Sequence, residues 1–195
     1  MQLILASASP RRAALLRQLG LSFRSEEADV SEELNPRWPP SLQVRVLALR
    51  KALAVAQRWP QCLVIGADTL VFADGRAMGK PLSAAQAEEM LRELSGRMHE
   101  VITGVAVVSF GQRRAWCGWE VTRVFFRSLE EEEIKAYVAT GEPMDKAGAY
   151  GIQNRGAVFV ERVEGCYFNV VGLPLVRLNA LLRQAGFYIH REWGK

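Results

Sequence analysis

A chain of 195 residues has room for one domain, or for two lobes sharing a core, which excludes a multi-domain organisation. Hydrophobic residues at 49% and charged residues at 24% exclude the disordered class. The 25 Lys and Arg exceed the 21 Asp and Glu by a net +4, a mild basic balance that suits a polyanion without choosing between nucleic acid and a small phosphorylated molecule.

The opening MQLILASASPRR places charge after its apolar run, so no signal peptide is expected. Leu3 to Ala6 reads as a short buried strand, followed by a helix with Ser9 as N-cap, Pro10 at its first position and Gly20 as its stop. The PRWPPS stretch, Pro36 to Ser41, is the longest linker-like segment. Leu42, Val46, Leu49, Leu53 and Ala56 step by four, three, four and three, predicting an amphipathic helix with Arg45, Arg50 and Lys51 off the apolar stripe. Cys62 to Ala67 predicts a buried strand. Val71 to Ala77 carries a hairpin signal at Asp74-Gly75, and Ser83 with Gln86 forms a capping box for a helix through Leu94.

His99 to Phe110 and Arg114 to Phe126 predict two long strands joined at Gly111. The apolar run from about Val101 to Phe110 falls far short of the ~18 residues of a membrane span, so no membrane partner is expected. Ser128 and Glu131 are expected to cap a helix running to about Thr140. Ala157 to Val163 reads as a strand, and Pro174 to Gln184 as a last helix stopped by Gly186, with a weakly packed tail beyond it. The pattern is α/β, a single continuous unit without repeats.

Four segments carry side chains suited to chemistry. In ASASPRR, Ser7 and Ser9 supply hydroxyls at a helix N-terminus where Arg11 and Arg12 add full positive charge, a recipe for phosphate; an ordinary capped helix with solvated arginines has the same spacing. In IGADT, Asp68 follows directly on an apolar strand, where open α/β sheets place catalytic or metal-binding carboxylates, while an Asx-type turn is its structural alternative. Lys51, and Lys80 within MGKP, are separated cations of the kind usually solvated. KAGAYGIQ, Lys146 to Gln153, puts small residues around Tyr150 and ends in an amide able to donate and accept at once, matching the edge of a uracil or thymine. Glu130 to Glu133 is assigned to the positive end of its own helix.

Cys62, Cys117 and Cys166 are odd in number and lack CxxC spacing, so neither a disulfide framework nor a thiolate zinc site is expected, and a cytoplasmic location fits. His99 and His190 are the only histidines and are assigned to packing or surface roles. Metal chemistry would then fall to carboxylates and a hard divalent cation, Mg²⁺ or Mn²⁺.

ASASPRR, ADVSEE, RKA, GADT, GKP, LSGRMHEVITG, DKAGAYGIQ and NVVGLP occur in this order, and together they closely resemble the Maf family of nucleoside triphosphate pyrophosphatases from about Ala6 to Pro174. KAGAYGIQ with NVVGLP resembles the dTTP/UTP subgroup. The resemblance implies a single Maf-like domain over residues 1–195, with an inosine triphosphatase-like elongated mixed sheet flanked by helices and two lobes around a central cleft. It implies hydrolysis of dTTP, UTP and modified pyrimidine triphosphates to monophosphate and diphosphate, a house-cleaning of nucleotide pools, and a homodimer. It places the proton acceptor at Asp68, substrate-choice positions at Arg11, Thr69 and Gln153, and family lysines at Lys51 and Lys80.

Relatives reading DVDE have Ser31 here in place of the Asp. Glu32 then matches the family's Glu, with Glu33 beside it as the other candidate. On this reading Asp68 and Glu32 share a divalent cation. The competing reading is a non-catalytic nucleotide or nucleic-acid binding regulator of septum formation. Against it, the cations are dispersed among carboxylates rather than gathered in a stripe with aromatics, and the five tryptophans lack stacking-platform spacing, so a nucleic-acid partner is not expected.

Overall fold

The computed structural model of the protein describes residues 2–33, 35 and 37–194; Leu34 and Pro36, the latter heading the PRWPPS stretch, lie outside them. The strands are β1 (Leu3–Leu5), β2 (Phe23–Ser25), β3 (Leu63–Ala73), β4 (Arg76–Met78), β5 (Met98–Ser109), β6 (Arg114–Phe126) and β7 (Val160–Glu164). The helices are α1 (Pro10–Gln18), α2 (Pro40–Ala56), α3 (Ala84–Leu94), α4 (Glu131–Ala139), α5 (Tyr167–Val171) and α6 (Leu175–Gln184). They form a mixed seven-stranded sheet of order β2-β1-β3-β5-β6-β7, with β4 pairing β3. No helix among the described residues is long and apolar enough to cross a membrane.

The chain divides into two compact units. Unit 1 comprises the chain up to Asp68, Thr103–Glu120 and the chain from Gly172. Here β2, β1 and the start of β3 run parallel, in the register Leu3 to Phe23 and Leu3 to Leu63. β2 is a three-residue strand that hydrophobic patterning did not reveal.

The buried face of α2 is Val44, Leu47, Ala48, Ala52, Val55 and Ala56, and the expected stripe is displaced around the helix, leaving Leu42 36% exposed. The cause is the sheet beneath. A Cβ on Gly66 would collide with the Ala48 carbonyl and stand 2.9 Å from the Ala52 Cβ, and one on Gly104 would collide with the backbone of Val44. Two glycines and a small-residue helix face let backbone rest on backbone, which leucines would prop apart. Lys51 lies on this same face, three residues after Ala48, and is only 12% exposed. That corrects its placement off the apolar stripe. The tail is also anchored more firmly than expected: Phe187 and Ile189 are buried, and the indole N–H of Trp193 donates to the Leu19 carbonyl at 2.8 Å.

Unit 2 comprises Thr69–Ile102 and Val121–Val171. The β3–β4 hairpin turns at Asp74 and Gly75, both at positive φ, as the Asp-Gly signal predicts. Ser83 caps α3 by accepting the Gln86 N–H at 3.2 Å, while the Gln86 side chain accepts from Leu82 N–H at 2.7 Å. The N-cap of α4 is Glu130, not Ser128, because Glu130 and Glu133 form the reciprocal capping box and Arg127 pairs with Glu133 at 2.6 Å. β7 starts at Val160 rather than Ala157, since Arg155–Phe159 winds into a 3-10 turn. The core gathers Leu91, Leu94, Phe126, Ile134, Tyr150 and Phe159. Buried within it, His99 bonds the Tyr150 hydroxyl through Nε2 at 2.8 Å, which is the packing role expected of it.

Candidate functional site

Three parallel strands release their carboxyl ends on one side of unit 1. β1 ends at Leu5, whose carbonyl accepts from Ser7 and Glu26 N–H at 2.9 Å each, so the Ser7 to Arg12 segment and the loop after β2 start from a common point. β3 behaves differently from expectation. It does not stop at Ala67; Asp68 lies in the middle of an eleven-residue strand, because Thr69, Leu70, Val71 and Phe72 sustain the extended backbone. Asp68 nevertheless lies three residues beyond Ile65, the last residue of β3 paired with β1. It emerges past the end of the parallel trio, where such sheets place ligands.

Strand periodicity fixes which way Asp68 faces. It lies two residues after Gly66 and so shares the face against which α2 packs. The close approach permitted by Gly66 brings Lys51 Nζ to 2.6 Å from Asp68 Oδ1, with Asp68 11% exposed. The same ammonium lies 2.6 Å from Glu32 Oε1, on a carboxylate that is 63% exposed. One half-buried cation thus joins a buried and an open carboxylate.

Glu32 rather than Glu33 reaches Lys51, and three contacts account for it. The Ser31 hydroxyl accepts the Glu33 N–H at 3.3 Å, a turn contact an Asp there could equally make. Arg50 donates to the Glu33 carbonyl at 2.8 Å and to the Ser31 carbonyl at 3.4 Å, gripping the backbone on both sides of Glu32. The sequence pattern marks Arg50 only as a residue off the helix stripe. The only signal of this role was its position beside Lys51 in RKA.

Ser9 caps α1 as expected, accepting the Arg12 N–H at 3.5 Å. The Ser7 hydroxyl accepts the Ser9 N–H at 3.2 Å and the Arg12 guanidinium at 3.3 Å. Arg12 Nε donates to the Gly172 carbonyl at 2.9 Å, which gives the NVVGLP motif a physical task of aiming this arginine. Burial draws the Arg12 pKa below the usual arginine range, while the charges of Asp68 and Glu32 pull it upward and that of Arg11 downward. Arg11 is partly buried.

The other expected residues belong to unit 2. Thr69 follows Asp68 on β3 and points to the opposite face. Lys80 is exposed, and the Gly79 carbonyl before it accepts the Gly148 N–H at 3.1 Å, joining GKP to KAGAYGIQ. Gln153 is exposed on the turn that follows.

Among the described residues no three His, Cys, Asp or Glu side chains gather into a cage for a metal ion. Asp68 and Glu32 converging on one ammonium are the pair of hard oxygen donors that Mg²⁺ takes when phosphate and water supply its remaining positions. The three cysteines are free.

The Maf-like protein family model matches residues 2–185. A protein of Pelotomaculum thermopropionicum named dTTP/UTP pyrophosphatase is 52% identical over 188 residues, 96% of this chain and 98% of its own. One of the same name from Moorella thermoacetica is 52% identical over 194 residues, 100% of this chain and 98% of its own. Among solved structures the Staphylococcus aureus Ham1 protein matches with a TM-score of 0.50 at 14% identity, covering 95% of this chain and all of that one, which speaks for the fold alone.

Proposed function

The chain belongs to the Maf-like protein family, and on that premise we propose that it is a nucleoside triphosphate diphosphatase hydrolysing dTTP and UTP to the monophosphate and diphosphate. The observation that carries this is the 52% identity, across nearly the whole of both chains, to relatives named for that activity. The arrangement around Lys51 supports the assignment of roles.

Water must attack the α-phosphorus while diphosphate departs, and the barrier lies in positioning the reactants and neutralising spread negative charge. Asp68 is the group that orients the water and accepts its proton. Lys51 holds that carboxylate in place and, with Ser7, Ser9, Arg11, Arg12 and Lys80, binds the triphosphate. Arg12, fixed by the Gly172 carbonyl, meets its phosphate oxygen without having to order a free side chain. Glu32 balances the ammonium and, with Asp68, would hold a divalent cation, Mg²⁺ or Mn²⁺. When bound, such an ion neutralises charge on the phosphate oxygens. Thr69 and Gln153 read the pyrimidine. The enzyme is further proposed to be a homodimer working in the cytoplasm on nucleotide pools, with no nucleic-acid partner; sedimentation returning a monomer would remove the dimer.

The test is a panel of nucleoside triphosphates assayed for diphosphate release with and without divalent cation. The expected result is turnover of UTP and dTTP that a chelator abolishes. Asp68→Asn should lose ~10²- to 10⁴-fold in rate while Glu130→Gln keeps the parent's rate. Release of UDP and phosphate, or saturable binding without turnover, would refute the proposal.

A further inference from the structure

Gln153 lies in a short irregular turn between Tyr150 and the 3-10 segment Arg155–Phe159, with no strand or helix ladder to set its shape. Both ends of the turn are fastened from below by one pair of side chains. The hydroxyl of Tyr137, on α4, accepts the Gly151 N–H at 3.1 Å and donates to Glu142 Oε1 at 2.9 Å. The other carboxylate oxygen of Glu142 accepts the Arg155 N–H at 3.4 Å and lies 3.7 Å from the Arg155 guanidinium.

The carboxylate of Glu142 is only 8% exposed, a costly placement that its partners offset. Lys146 donates to the Glu142 carbonyl at 2.6 Å, fixing the backbone that carries it. The ends of the turn also approach closely: a Cβ on Gly156 would stand 2.8 Å from the Gly151 carbonyl oxygen and 2.9 Å from the Tyr137 hydroxyl. Burial, and then the Glu142 carboxylate, push the Tyr137 phenol upward, so its proton stays in place to donate and its lone pair faces Gly151.

We propose that Tyr137 and Glu142 are positioning residues that clamp the two ends of the Gln153 turn and thereby set pyrimidine selectivity without touching the nucleotide. The proposal rests on Gln153 reading the base, as put forward above. Selectivity is read as kcat/KM for UTP over CTP in the parent, Tyr137→Phe, Glu142→Gln, Gln153→Ala and the Tyr137→Phe/Gln153→Ala double variant.

Tyr137→Phe should lower the ratio by about 10-fold while kcat for UTP stays within about threefold. The double variant should lose no more than Gln153→Ala alone, a non-additivity that general destabilisation does not produce. Glu142→Gln keeps an acceptor for the phenol and should lose less. It also supplies the comparison if Tyr137→Phe does not fold. Hydrogen exchange gives a readout independent of turnover: the Gly151 and Arg155 amides are expected to be protected in the parent and to exchange faster in Tyr137→Phe.

If Gln153→Ala relaxes selectivity while both clamp variants retain it, the clamp is overturned and the base reading stands. If Gln153→Ala itself leaves selectivity unchanged, both fall.

Discussion

Replacing Lys51 with methionine removes the ammonium and keeps the volume of the stem, so its effect on stability measures how strongly each carboxylate depends on that charge. Asp68 and Lys51 are 11% and 12% exposed and meet at 2.6 Å, so the variant strands a largely buried carboxylate. Such a loss costs ~3 to 5 kcal/mol in a fully buried pair, and the residual exposure points to the low end, about 3 kcal/mol. Glu32 meets the same atom at the same 2.6 Å but is 63% exposed, where a pair contributes ~0.2 to 1 kcal/mol. Equal distances therefore predict unequal couplings. In an Asp68→Asn background the cost of Lys51→Met should fall to about 1 kcal/mol, a coupling of about 2, whereas in a Glu32→Gln background it should change by less than about 0.5 kcal/mol. Urea unfolding at pH 7.5, followed by circular dichroism with m held common, supplies all the values. A coupling to Glu32 as large as that to Asp68, or none to either, would refute the reasoning that burial, not distance, sets the strength of this site.

His99 should make stability fall in mild acid. Burial holds its pKa at about 4 against an ordinary 6.5, so between those values the unfolded chain binds the extra proton and stability is lost as pH falls. The loss attributable to His99 from pH 7.5 to pH 4.5 is about 2.5 kcal/mol. It should be missing from the urea-unfolding pH profile of His99→Gln, and identical profiles would contradict it. Gly66→Ala should destabilise by at least about 3 kcal/mol, because its methyl meets the backbone of α2, and should lower turnover by displacing Lys51. Gly75→Ala, at φ +80° with nothing near its Cβ, should cost about 1 kcal/mol of strain and leave turnover intact. Thermal unfolding and UTP hydrolysis rank the two, and the reverse order would contradict the packing argument.

What the sequence disclosed was local chemistry. Ser9 and Ser83 cap helices, and Asp74-Gly75 turns a hairpin, because each acts on backbone within four residues of itself. The buried face of α2 was not legible, because it depends on Gly66 and Gly104, strand residues 10 or more positions away that admit the helix only on its alanine side. The same dependence hid Lys51 among solvated cations until the Gly66 strand set it against Asp68. The pattern points to Asp68 on the right strand but at its end, since a carboxylate inside a strand breaks the apolar pattern that marks one. The motifs named the candidate side chains; Arg50, the Gly172 carbonyl and the Tyr137–Glu142 pair, which hold those side chains or their loops, act across contacts that spacing alone does not encode.

The chemical heart of the proposal is attack by water on the α-phosphorus, and hydrolysis of UTP in ¹⁸O-enriched water reads it directly by mass spectrometry of the two products. The label is expected in UMP, with diphosphate unlabelled. Label in diphosphate instead would place the attack on the β-phosphorus and contradict the mechanism built around Asp68.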